Sequence, residues 1–141
     1  MFLLDTNVVS ELRKLGDGKT DARVTAWVSG IEAASTYLSV ITLMELDIGI
    51  LRLERRDARQ GERLRAWFQH QVVPEFKDRT LPIEARVAHC CARLHVPNPR
   101  AERDALIAAT AQVHQLTVVT RNLVDFKALG VELINPWEWH G

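Results

Sequence analysis

The chain has 141 residues, 47% of them hydrophobic and 26% charged, with 18 basic residues balancing 18 acidic ones. That length suits a domain burying roughly two thirds of the surface its unfolded form exposes, and zero net charge argues against a general nucleic-acid coat protein without excluding a nuclease. No apolar run approaches the ~20 residues of a membrane span, no signal-peptide pattern opens the chain, and the adjacent Cys90 and Cys91 offer neither a disulfide framework nor zinc-ligand spacing, so one cytoplasmic, reduced domain over 1–141 is expected.

Phe2-Leu3-Leu4 is an apolar run suited to a strand buried on both faces. Asp5-Thr6-Asn7 offers N-cap chemistry for a helix from Val8 to Leu15, stopped by Gly16. Asp21 can cap a second helix, with Val24, Trp27, Val28 and Ile31 at helical spacing, and Thr36 to Val40 reads as a second strand. Thr42-Leu43-Met44-Glu45 matches a capping box, so a helix is expected to open there and run through Leu46, Ile50 and Leu53. Asp57 to Gln71 reads as an amphipathic helix halted before Pro74, and Arg79 to Pro82 as a short edge strand. Helices follow over Glu84 to His95 and Ala101 to Gln115, then a strand over Thr117 to Thr120. A short helix near Leu123 to Leu129 ends at Gly130, and Val131 to Ile134 makes the last strand. Strands alternating with helices predict an α/β fold with a mainly parallel sheet.

Four acids stand at the ends of these elements: Asp5, Glu45, Asp104 and Asp125. Taken alone, each has a structural explanation. Asp5 reads as a helix cap, Glu45 as the reciprocal member of a capping box, Asp104 as a complement to a helix dipole and Asp125 as a turn residue. Yet ligands of open parallel sheets bind beyond the carboxyl ends of the strands, where Asp5 and the Thr120–Asp125 stretch belong. Carboxylates gathered there repel one another unless a divalent cation joins them, and oxygen-only ligation favours Mg²⁺ or Mn²⁺. The pattern suggests a metal-dependent enzyme acting on phosphate.

Five stretches carry a family resemblance. Leu3-Leu4-Asp5-Thr6-Asn7-Val8-Val9-Ser10-Glu11-Leu12, Ile41 to Ile50, Arg103-Asp104-Ala105-Leu106-Ile107-Ala108-Ala109-Thr110-Ala111 and Thr120-Arg121-Asn122-Leu123-Val124-Asp125-Phe126 resemble the PIN-domain superfamily. The closing Val131-Glu132-Leu133-Ile134-Asn135-Pro136-Trp137 is similar to the FitB-like branch of the VapC toxins. The resemblance implies a PIN-like α/β/α sandwich and a metal-dependent endoribonuclease, the toxin of a type II toxin–antitoxin pair. It places metal ligation on Asp5 and Asp104 as principal ligands, with Glu45 and Asp125 direct or through water. Asp125 is the loosest position and Asn122 shares or replaces its role. Thr6 and Thr120 orient carboxylates or serve as ordinary caps and strand partners. The implied partners are an RNA substrate, a cognate antitoxin and a second copy of the chain, with no membrane.

Other readings remain open at this point. An aspartyl-nucleophile phosphatase needs a second Asp where Asn7 stands. A catalytically silent PIN-like scaffold binding RNA or protein keeps the fold without the chemistry. His70, His89, His95, His114 and His140 lie outside the motifs and are expected to be structural or surface residues. Arg52, Arg55, Arg56, Arg59, Arg63 and Arg65, interleaved with Glu54, Asp57 and Glu62, suggest solvated helices with i,i+4 ion pairs. Arg103 and Arg121, beside the acids, are better candidates for phosphate contact, although Arg121 can equally pair with a neighbouring acid. Trp27, Leu51, Trp67 and Phe68 fit either plain core packing or a partner surface.

Overall fold

In the computed structural model, which describes residues 1–141, five short strands form one sheet: β1 (Phe2–Leu4), β2 (Thr36–Ser39), β3 (Thr80–Leu81), β4 (Thr117–Val119) and β5 (Leu133–Ile134). Their order is β3-β2-β1-β4-β5, and every pairing is parallel. Parallel pairing requires crossovers, supplied here by helices on both faces. These are α1 (Thr6–Leu12), α2 (Ala22–Ser29), α3 (Val40–Arg56), α4 (Ala58–Trp67), a one-turn α5 (Val73–Glu75), α6 (Ala85–Leu94), α7 (Glu102–His114) and α8 (Leu123–Lys127). No helix is long and apolar enough to cross a membrane.

Strand alternation sends neighbouring residues into opposite cores. Leu4 and Val119, paired across β1 and β4, enter one apolar cluster with Val8, Trp27, Leu46 and Phe68. Leu3 and Val118, also paired, enter the other with Ile107, Ala108 and Phe126. Small residues of α7 (Ala105, Ala108, Ala109 and Ala111) are fully buried, which lets that helix lie close against the sheet. Cys90 and Cys91 are buried free thiols packed with Ala105 and Ala109 on α7.

Several local expectations are corrected. The α3 helix opens at Val40, where the Ser39 hydroxyl accepts a hydrogen bond from the Ile41 N–H at 3.0 Å. The capping box at Thr42–Glu45 is therefore not used. Thr42 Oγ1 is buried without a hydrogen-bond partner, and Glu45 stands in the second turn, free for contacts off the helix. The first helix tightens into a 3₁₀ turn over Arg13–Asp17 and stops at Gly18, whose φ of 67° needs glycine, rather than at Gly16. Beyond Trp67 the chain stays helical through a π turn (Phe68–Val72) and into α5, with Pro74 in its first turn, where a missing N–H is harmless.

The basic run is not laced by i,i+4 pairs. Arg65 on α4 reaches back to α3 instead, holding Asp47 at 2.7 Å and Glu54 at 3.1 Å. Trp27 and Phe68 belong to the core and Trp67 packs against it, whereas Leu51 is 53% exposed.

Candidate active site

Asp5 leaves β1 at its carboxyl end and caps α1. Its N–H donates to the Val119 carbonyl at 2.9 Å, which ties the turn to the end of β4. Its Oδ1 accepts from the Thr6 N–H at 2.8 Å, and its Oδ2 accepts from Thr120 Oγ1 at 2.7 Å and Asn7 Nδ2 at 3.3 Å. The carboxylate is thus both buried and oriented. Thr120 also accepts from the Asn122 N–H at 3.0 Å, setting the loop that leads into α8 and Asp125.

Glu45 comes in from α3. Its Oε1 accepts from Thr6 Oγ1 at 2.7 Å, and its Oε2 lies 3.8 Å from Arg103. Asp104, half-buried in the first turn of α7, completes the inner group, while Asp125 on α8 is exposed at the rim.

The electrostatics show that all four acids share one neighbourhood. Asp104 is pushed up to about 6, first by burial and then by Asp5, Asp125 and Glu45. Asp5 is also raised, chiefly by burial and further by Glu45 and Asp125, against the lowering effect of its hydrogen bonds from Thr120 and Thr6. The acids are neighbours rather than a closed cage: no three Asp, Glu, His or Cys side chains stand tightly enough together to hold a metal ion as they are. Their chemistry fits a hard divalent cation, since the donors are all oxygen and the neighbouring acids disfavour ionisation of Asp5 and Asp104.

Asn7 is the residue that sequence reasoning passed over. Its amide touches Asp5 Oδ2 at 3.3 Å and Thr120 Oγ1 at 3.4 Å, while its carbonyl oxygen accepts from the Arg121 N–H at 3.2 Å. Partners more than a hundred residues away leave no local trace; the only signal was its place in the Asp5-Thr6-Asn7 stretch of the family resemblance. Arg121 itself lies over the Trp137 ring at 5.0 Å and takes no acid as partner. None of the five histidines hydrogen-bonds to the four acids. His95 accepts from the Arg100 N–H at 3.1 Å, and His114 lies 4.0 Å from Glu84.

Comparison with known proteins adds independent findings. The family model described as PIN domain matches residues 2–131. The chain is 36% identical to a protein of Neisseria gonorrhoeae named Toxin FitB over 143 residues, covering 97% of this chain and 99% of the relative. It is 35% identical to a Sinorhizobium fredii protein named VapC ribonuclease Y4jK over 146 residues, covering 98% and 99%. Among solved structures, FitAcB from Neisseria gonorrhoeae superimposes with a TM-score of 0.87 at 35% identity, covering 98% of this chain and 99% of that one.

Proposed function

Because the chain belongs to the PIN domain family, we propose that it is the endoribonuclease toxin of a type II toxin–antitoxin system, with residues 1–141 as a single PIN domain. The observation that carries this reading is the gathering of Asp5, Glu45, Asp104 and Asp125 from four separate elements into one electrostatically coupled group at the carboxyl edge of the sheet. A relative named as a ribonuclease and another named as a toxin support it.

In this reading the four acids hold Mg²⁺ or Mn²⁺, Asp5 and Asp104 as the inner pair and Asp125, or Asn122 beside it, at the outer position. When bound, such an ion supplies Lewis-acid charge for water activation and for the leaving oxygen of in-line phosphodiester hydrolysis. The chain's own residues do the positioning. Thr120, Asn7 and the Thr6 N–H fix the Asp5 carboxylate, and the Thr6 hydroxyl fixes Glu45. Arg103 and Arg121 flank the group with positive charge suited to a phosphate. A toxin active on the cell's own RNA requires a cognate antitoxin, and we assign the chain such a partner together with a second copy of itself, working in the cytoplasm.

The catalytically silent scaffold retains one observation in its favour, the absence of a tightly formed ligand group. The deciding experiment incubates antitoxin-free protein with mixed structured RNAs in Mg²⁺, Mn²⁺ or EDTA, beside an Asp104→Asn variant. The nuclease reading predicts discrete, metal-dependent cuts that vanish in the variant. RNA binding without cutting by either protein selects the scaffold.

A further inference from the structure

An open groove of about 690 Å³ lies between the 3₁₀ turn after α1 and α4, lined by Arg13, Asp17, Gln60, Arg63, Trp67 and Gln71 among others. A second concavity of about 350 Å³ shares Arg13, Leu64 and Trp67 with it and reaches Thr6 and Glu45. The two run together through those shared residues into one path whose inner end reaches Glu45.

The chemistry along this path is specific. Arg13 and Arg63 are exposed, and neither joins an ion pair, unlike Arg65 two residues further along α4. Arg59 precedes Arg63 by one helical turn and is likewise exposed and unpaired. Asp17 is the one acid of the outer groove, and Glu45, at the inner end, is already engaged with Thr6 and Arg103. Trp67 supplies a half-buried indole to the same wall as the two arginines, with Gln60 and Gln71 adding amides to the lining. Free guanidinium groups tracking a groove with an aromatic ring in its wall match the requirements of a single nucleic-acid strand: charge for phosphates and a π face for a base.

We propose that this groove holds an unpaired flank of the RNA on one side of the cut phosphodiester, with Arg13 and Arg63 on its phosphates and Trp67 against a base. The proposal rests on the ribonuclease reading, since it needs a strand that passes the acids and continues outward.

The test compares a minimal RNA containing a mapped cut site with the same RNA extended by a short unpaired stretch at either end. Binding of the extended RNA to Asp104→Asn protein is followed in parallel by fluorescence anisotropy over a range of salt. Extension on one side is expected to raise kcat/KM by about tenfold, in line with about 1 kcal/mol or more for one stacked base. Arg13→Ala and Arg63→Ala should each remove most of that gain and flatten the log–log salt slope by about 0.7 for one lost phosphate contact to a single strand. Arg13→Lys should keep much of it. Both arginines are exposed, so an unchanged Tm certifies the fold of each variant.

Equal cutting of minimal and extended RNA overturns the groove while leaving the nuclease intact, as does an extension gain that survives both alanine variants. Should no RNA be cut, the anisotropy arm decides separately, and salt slopes identical in all variants overturn the proposal. Weaker capture of a co-expressed antitoxin with unchanged RNA binding would assign the groove to protein and overturn it too.

Discussion

A carboxyl held near pH 6 by burial and three neighbouring acids, as Asp104 is, destabilises the folded chain when it ionises. Between its ordinary value of 3.8 and about 6 the folded state binds more protons than the unfolded one, so stability falls as pH rises through that window and stays reduced above it. Asp104 is half-buried, and solvent screening reduces the effect to about 1 kcal/mol. Metal-free Asp104→Asn protein should therefore melt about 3 °C higher than the wild type near neutral pH, with the difference vanishing near pH 4; differential scanning calorimetry reads this directly. On the proposed reading the same ionisation precedes cation binding, so the cleavage rate at fixed, subsaturating Mn²⁺ should fall as pH drops through about 6, a profile checked by initial rates. Thr120→Val removes the hydroxyl that donates to Asp5 Oδ2 at 2.7 Å. It should lower stability by about 1–3 kcal/mol in urea titrations and push the Asp5 pKa further up, because the Thr120 hydrogen bond opposes the rise.

At the level of elements, the α3–α4 hairpin depends on how closely two helices approach. A Cβ built on buried Gly61 would sit 2.6 Å from the Glu54 Cα, a backbone atom that cannot swing away. Gly61→Ala should accordingly destabilise the protein by about 1–3 kcal/mol despite alanine's better helix propensity, a result that urea midpoints would show. Most helices were legible in the sequence because their apolar spacing and punctuation agree: Asp21 does cap α2 through the Arg23 and Val24 N–H groups, and Gly130 does close the turn after α8 with a φ of 70°. The start of α3 was not. Ser39 and Thr42 are both sound N-caps by local chemistry, and the choice fell to Ser39 because β2 ends there, which is tertiary information. Arg65 was misread for a similar reason. Its partners Asp47 and Glu54 lie on another helix, and helical spacing within one segment says nothing of a crossing between two.

For the whole molecule, the strand order β3-β2-β1-β4-β5 puts the first strand at the centre, so that its carboxyl end is surrounded by the ends of β2 and β4, by α3 and α8, which follow them, and by the start of α7, which leads into β4. Four acids far apart in sequence become neighbours through that arrangement alone. The alternation of elements made a parallel sheet predictable, whereas the order of its strands and the role of Asn7 came only from pairings across the chain. The family resemblance named all four acids, and the fold leaves Asp5 buried, Asp104 and Glu45 half-buried and Asp125 exposed. The proposal that these side chains act as one divalent-cation centre is tested by a calorimetric titration of antitoxin-free protein with Mn²⁺ near neutral pH, wild type beside Asp104→Asn. Saturable binding to the wild type, reversed by EDTA and strongly weakened in the variant, is the predicted result. No binding to folded wild-type protein, or equal binding to both proteins, would contradict it.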